Sequence, residues 1–179
     1  KEYSPTSLTI RLTIREAIYW YEDYSFEFDD NSRTLTLYKY YGEDTEIEVE
    51  SSVIKDGISY DVILNGGVYR ERSDLASIVI NQGVKTGEFC NEMFCGCSGL
   101  TQLDLSGLDT SYSTDMSAMF SNCTNLTQLD ISGFNTSNVV LMELMLNGCS
   151  NLSEIDLSNF NTSNVTSMSD MFSGCSNLT

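Results

Sequence analysis

The stretch that decides the fold runs from Cys149 to Cys175 and reads CSNLSEIDLSNFNTSNVTSMSDMFSGC. Closely similar stretches precede it at a constant interval of 26 residues, as one column of methionines shows: Met93, Met119, Met145 and Met171. Self-similarity at a fixed period of about 20–50 residues is the signature of repeat proteins, in which each unit packs only on its neighbours. The sequence therefore predicts one elongated repeat body without a central core.

Each repeat opens with the spacing Leu-x-x-Leu-x-Leu, as in Leu100, Leu103 and Leu105. This spacing places the last two apolar residues on one face of a short strand, and stacked units would form a parallel sheet. The segment that ends in Met171, Phe172 and Cys175 instead carries apolar residues at helical spacing, and Gly or Asn precedes this cysteine in each repeat. Each unit is therefore predicted to be strand, turn, short helix and turn.

The predicted fold class is an α/β solenoid, a leucine-rich-repeat-like right-handed coil of short parallel strands and short helices. The repeats occupy residues 75–179 and form about four coils, the last of them incomplete. Because the sequence stops at Thr179 before the strand of that coil, further repeats or domains are expected C-terminal to it.

Residues 1–74 have a different residue pattern from the repeats. They are predicted to form a β-rich N-terminal cap with a first, divergent half-repeat. Leu8 to Ile14 alternate with polar residues, and residues 24–38 are typical of a β-hairpin. Asp56-Gly57 is a favoured two-residue turn for a second hairpin. An independent small domain is the alternative, although no linker rich in Gly, Ser or Pro separates the two parts.

The composition excludes several classes of function. The net charge is -17, and residues 86–179 contain no Lys or Arg, so phosphate backbones and anionic membranes are repelled. No apolar run is long enough for direct membrane insertion. The chain has no His, and we find no convergent acid pair and no phosphate-binding loop. We predict that it is not an enzyme, binds no nucleic acid and needs no cofactor.

Four cysteines recur with the repeat: Cys97, Cys123, Cys149 and Cys175. A column with one cysteine per coil does not converge on a point, as a zinc site requires. We predict buried, reduced thiols that pack as small apolar groups. Disulfides between neighbouring coils remain open, because a coil spacing near 5 Å suits them. Cys90 is expected in the core, and Cys95 is expected to be exposed and worth testing for reactivity.

Polar residues that recur on the predicted strands are the candidate ligand-binding positions. They lie between the inward-facing apolar residues and therefore point outward. The candidates are Gln102, Asp104, Ser106, Gln128, Asp130, Ser132, Glu154, Asp156 and Ser158. The acids among them, Asp104, Asp130 and Asp156, are a weak Ca²⁺ candidate if they stack about 5 Å apart. The alternative is a solvated row of charges with no metal.

One repeat is more apolar than the others. Leu141 and Leu144 stand where neighbouring repeats carry Asp115 and Ala118. If the helical phase holds, these leucines face outward and form a patch suited to a partner. A local shift of the helix phase that buries them is the alternative.

The repeats quoted above resemble those of BspA-like bacterial surface proteins, which carry a leucine-rich-type repeat of about 26 residues. The resemblance covers residues 88–179 and implies a secreted or wall-attached protein, extracellular or at the cell surface, that binds host or microbial partners. The partner would be a protein or a glycan of unknown identity. The resemblance supplies no catalytic residues.

We therefore expect an adhesin-like binding module that recognises its ligand through the exposed solenoid face. A passive spacer that displays another domain is an alternative, and so is the non-catalytic arm of a secreted enzyme. The near-identical Gln, Asp and Ser positions count mildly for the spacer, because a binding face usually varies.

Overall fold

The computed structural model describes residues 23–179, so the strand predicted from Leu8 to Ile14 lies outside the described residues. The described strands are β1 (Tyr24–Asp29), β2 (Thr34–Tyr40), β3 (Glu46–Val49), β4 (Ser52–Lys55), β5 (Ile58–Leu64), β6 (Ser77–Ile80), β7 (Val84–Thr86), β8 (Gln102–Asp104) and β9 (Leu108–Asp109). No helix in the described part of the chain is long and apolar enough to cross a membrane.

The strands form two ladders that run from coil to coil. One sheet has the order β1-β2-β5-β7-β9, with β4 paired to β5, and the other has the order β3-β6-β8. Both predicted hairpins are confirmed, because β1 pairs β2 and β4 pairs β5 in antiparallel fashion. The remaining pairs are parallel, as expected for successive coils stacked side by side.

The strand predicted from the leucine spacing is confirmed in two repeats, where β6 pairs β8 in parallel. In the next repeat, residues 126–131 form no strand. Its apolar residues Leu126, Leu129 and Ile131 are nevertheless buried. The leucine pattern therefore specifies which side chains point inward even where no strand forms.

The short helices predicted in each repeat are wrong, because no helix forms within residues 23–179. The segment around Met119 is instead a series of turns. Its backbone N–H groups alternate: Ala118 and Phe120 donate to the next coil, at 2.7 and 2.9 Å, whereas Ser121 donates to the carbonyl of Ala118 at 3.1 Å. Ala118 also has a φ of 52°, which ends any helical run. Hydrogen bonds between coils have replaced those that a helix would make within one coil.

The methionine and phenylalanine columns form the core of this turn side, except that Phe172 in the last coil is 41% exposed. Met93, Phe94, Met119 and Phe120 are fully buried. The ring of Phe94 stacks on Tyr69 with centroids 5.7 Å apart and on Phe120 with centroids 5.6 Å apart. This continuous aromatic stack locks neighbouring coils into register.

The cysteine column is unbridged, and Cys97, Cys123 and Cys149 are buried as predicted, whereas Cys175 in the last coil is half-buried. Each thiol donates to a carbonyl of the preceding coil: Cys97 to Tyr69 at 3.0 Å and Cys123 to Phe94 at 3.1 Å. Burial raises the pKa of Cys97 to about 12. Cys90 is buried as expected, whereas Cys95 is half-buried rather than exposed, and burial raises its pKa.

Candidate functional site

The candidate ligand-binding residues all lie on the outer surface of the strand side. Gln102, Asp104 and Ser106 are exposed, and so are the equivalent residues of the next two repeats, Gln128, Asp130, Ser132, Glu154, Asp156 and Ser158. We call these nine residues the polar strip. Leu105 and Leu129 are buried directly behind it. Because side chains alternate along the chain, the polar residues face the solvent while the leucines between them pack in the core and hold the backbone in place.

The aspartates of the polar strip fix the backbone that carries them. The Ser106 N–H donates to Oδ1 of Asp104 at 3.0 Å, and the Ser158 N–H donates to Oδ1 of Asp156 at 2.8 Å. Asp130 accepts both the N–H and the hydroxyl of Ser132, at 3.0 and 2.6 Å. These bonds favour the charged form and lower the pKa of each aspartate. Each carboxylate therefore caps a turn and remains ionised.

The structure gives no support to the weak Ca²⁺ candidate. Within residues 23–179 no three acidic or cysteine side chains form a group that could hold a metal ion. One oxygen of each aspartate is occupied by its own turn, as in the pair Asp130 and Ser132. A calcium site needs several oxygen ligands that converge on one point, and these carboxylates face outward instead.

The outward row continues upstream of the repeats, where the sequence analysis did not place it. In β3 and β6, Glu48 lies beside Val79, which in turn lies beside Asp104. The Asn81 amide donates to the carboxylates of Glu48 and Glu50, at 3.0 Å each. The acidic surface therefore extends beyond the repeats in the N-terminal direction, as far as β3. The alternating acids of residues 46–50 were the sequence signal for it.

The leucines of the apolar repeat do not form a matched exposed pair. Leu144 is 39% exposed, with a φ of 57°, whereas Leu141 is half-buried in a bridge between Asp115 and Ser167. The alternative that both leucines are buried does not hold for Leu144. The possible partner patch is thus smaller than predicted and centres on Leu144, with Val140 exposed nearby in the chain.

A cleft that the sequence analysis missed opens at the N-terminal end of the turn side. It has a volume of about 530 Å³ and lies between residues 39–43 and residues 70–74. Arg72 lines it and occupies the position that Cys97 holds in the next coil, since each donates its N–H to the aromatic residue three positions earlier. The sequence signal that could have revealed this cleft is that arginine, and not cysteine, stands three residues after the aromatic residue of this coil.

Comparison with known proteins identifies the repeats. The family described as "Mycoplasma protein of unknown function, DUF285" matches residues 88–179, just over half of the chain. A leucine-rich-repeat protein of T. pallidum has a crystal structure similar to 87% of this chain and 66% of that one, at a TM-score of 0.63 and 20% identity. This likeness shows the fold.

A leucine-rich cell surface protein of Faecalibacterium prausnitzii matches 88% of this chain and 52% of its own, at a TM-score of 0.43 and 20% identity. The chain thus spans less than two thirds of either solved structure. No curated protein matches it in sequence.

Proposed function

The chain belongs to the family described as "Mycoplasma protein of unknown function, DUF285", among BspA-like bacterial leucine-rich-repeat proteins, and we propose that it is a binding module. In this proposal the stacked coils form a continuous solenoid at the cell surface or outside the cell, and the chain has no catalytic role. The location is part of the proposal and is supported by the resemblance of the repeat sequence at residues 88–179 to that of BspA-like surface proteins.

The observation that carries the proposal is the polar strip itself. Nine exposed polar side chains recur at the coil repeat, and capped turns and buried leucines fix their positions. A rigid surface loses little conformational entropy on binding, which favours affinity. Residues 86–179 carry acids but no Lys or Arg, so the partner that fits is a protein with a basic surface.

The test removes the charge of the polar strip without removing its turns. Asn can replace Asp in these turns, because Asn135 caps an equivalent one by accepting the Ser137 N–H at 3.1 Å. The variant is therefore Asp104→Asn, Asp130→Asn and Asp156→Asn combined. The control is Asp109→Asn, Asp115→Asn and Asp170→Asn combined, which changes the net charge equally but lies elsewhere on the coils.

Surface plasmon resonance against immobilised purified extracellular-matrix proteins would measure the effect. We expect one or more of them to bind the unmodified chain, with an affinity that falls as salt rises. The strip variant should bind about tenfold more weakly, and the control variant should bind almost normally. Equal loss in both variants would show that net charge alone acts, and the polar strip would then not be the binding site.

The passive spacer is a second candidate that one observation favours. The Asp-x-Ser pairs repeat unchanged in three coils, and each aspartate has a structural task in its own turn. A spacer needs stable, uniform coils and no ligand. If no matrix protein binds and both variants unfold as the unmodified chain does, the spacer becomes the better account of the polar strip.

A further inference from the structure

The cleft between residues 39–43 and 70–74 arises where the coil repeat is interrupted. Further along the chain, Tyr69 and Phe94 donate their N–H groups to the next coil at 3.0 and 2.9 Å. Tyr40 makes the equivalent bond to Val68 at 2.8 Å, but it precedes Tyr69 by 29 residues, whereas Tyr69 precedes Phe94 by 25. The longer connection lets the two segments separate after this bond.

The cleft has an aromatic floor and an aromatic rim. The ring of Tyr40 is buried, and Gly42 passes so close to it that any side chain at Gly42 would collide with the phenol. Tyr41, the next residue, is 60% exposed at the edge of the cleft. Lys39 lies over its ring, 5.4 Å from the centroid. An exposed aromatic ring beside a polar cavity is a typical platform for a ligand with one apolar face.

The polar groups around the cleft are arranged as charge pairs. Arg72 donates to both carboxylate oxygens of Asp74, at 2.8 and 2.6 Å, and its guanidinium lies 4.6 Å from the centre of the Tyr40 ring. Arg70 donates to Glu92 at 2.6 Å and lies 3.5 Å from Glu71. Arg70, Glu71 and Asp74 are exposed enough for their remaining donors and acceptors to reach a ligand in the cleft, whereas Nη1 of Arg72 is buried.

The charge balance of the cleft argues against an anionic ligand. Three cationic residues line it, and so do three acids, Glu43, Glu71 and Asp74. An anion would meet as much repulsion as attraction here, on a chain that is already strongly acidic. A neutral ligand that both donates and accepts hydrogen bonds fits the paired groups better. Hydroxyl groups have both properties.

We propose that this cleft binds a neutral saccharide, whose apolar C–H face packs on Tyr41 while its hydroxyls bond the paired groups of Arg70, Glu71 and Asp74. This site is separate from the polar strip and lies on another side of the coils. It goes beyond the proposed protein-binding role, and the two can fail independently.

The test uses the full chain with ring-labelled tyrosine and a panel of neutral sugars: glucose, galactose, mannose, N-acetylglucosamine and disaccharides of these. N-Acetylneuraminic acid and inorganic phosphate serve as charged comparators. We expect at least one neutral sugar to shift the Tyr41 ring signals in NMR titration. Tyr41→Ala should weaken that binding about tenfold, because it removes the stacking surface. Tyr41→Phe should largely retain it.

Tyr112→Ala is the matched control, because Tyr112 is also exposed but does not line the cleft. It should bind the sugar as the unmodified chain does. The proposal is overturned if no neutral sugar shifts the Tyr41 signals, if Tyr41→Ala binds unchanged, or if a charged comparator binds more tightly than every neutral sugar. Normal sugar binding by the triple aspartate variant of the polar strip would show that the two sites are separate.

Discussion

The contact between the two turns around Phe94 and Phe120 differs from the contact between those around Tyr40 and Tyr69. In the first pair, which we call the closed contact, the rings stack in parallel and Cys123 donates to the carbonyl of Phe94. In the second, the open contact, the rings are tilted by 59° and the cleft separates the segments that follow. The same backbone position thus supports either a sealed core or a cavity.

The residue in the cysteine column accounts for much of this difference. A thiol is small enough to lie inside the stack and needs one acceptor, which the preceding coil supplies. The guanidinium of Arg72 is too large and too polar for that place. It lies instead over the face of Tyr40 and pairs with Asp74 at the surface. Where the repeat places cysteine in this column, the core between the coils is closed. Where arginine replaces it, a cleft opens between them.

The closed contact should be the most sensitive to loss of an aromatic ring. Phe120→Ala removes a fully buried side chain that is stacked on Phe94. We expect a loss of about 3–5 kcal/mol in the free energy of unfolding, measured by urea denaturation. Tyr112→Ala, at an exposed tyrosine, should change it by less than about 0.5 kcal/mol. Similar losses in both variants would show that the stack does not dominate stability.

The thiol ladder should contribute less than the rings. Cys123→Ala deletes a buried sulfur and its bond to the Phe94 carbonyl, although that carbonyl still accepts the N–H of Cys97. We expect a loss of about 1–2 kcal/mol by the same measurement. Cys95→Ala is the control, because Cys95 is half-buried and lies outside the column. A larger effect at Cys95 would contradict the role given to the column.

The open contact should tolerate substitution better. Arg72→Met keeps much of the apolar stem but removes the contact with Tyr40 and the pair with Asp74. We expect a loss of about 1 kcal/mol, since such partly exposed interactions are modest. Arg70→Met removes a more exposed pair and should have a smaller effect. If Arg72→Met were as harmful as Phe120→Ala, the open contact would carry as much stability as the closed one, and the distinction between them would fail.

A further expected effect is a pH dependence of the free energy of unfolding, which the buried thiols of the cysteine column cause. Burial raises the pKa of Cys97 and Cys149 to about 12 from a usual value near 9.0. These thiols stay protonated in the folded chain but ionise in the unfolded one. The contribution of these thiols to the free energy of unfolding is therefore complete below about pH 9 and falls as the pH rises toward 12.

Urea unfolding at about pH 7 and about pH 10 should show this loss. Cys149→Ala should reduce it, and Cys95→Ala should change it less. An alkaline loss that is the same in Cys149→Ala as in the unmodified chain would exclude the column thiols as its cause.

The period of the repeats made several features predictable. It identified the inward leucines, the Met and Phe columns, the buried cysteines and the outward polar strip, because each column meets the same environment in every coil. The two hairpins followed from local signals such as Asp56-Gly57, whose residues both have positive φ, at 52° and 77°. These features depend on adjacent residues in the chain and on the repeat, and both can be read directly from the sequence.

The prediction of short helices was wrong for a physical reason. The apolar spacing that ends in Met119 and Phe120 fits a helix, but side-chain spacing does not reveal which carbonyl each N–H will reach. In the stacked coils, carbonyls of the next coil are available to Ala118 and Phe120, and the chain uses them. The half-burial of Cys95 and the exposure of Leu144 likewise depend on this turn geometry.

The sequence by itself determined the repeat, the residues of its core and the outward position of the polar strip, since a period of 26 residues forces equivalent residues into equivalent places. Only the tertiary structure decided that turns replace helices and that the first coils part around Arg72. Both outcomes depend on contacts between coils. The turns form because hydrogen-bond partners lie about one repeat away along the chain, and the cleft forms because the connection between coils varies in length.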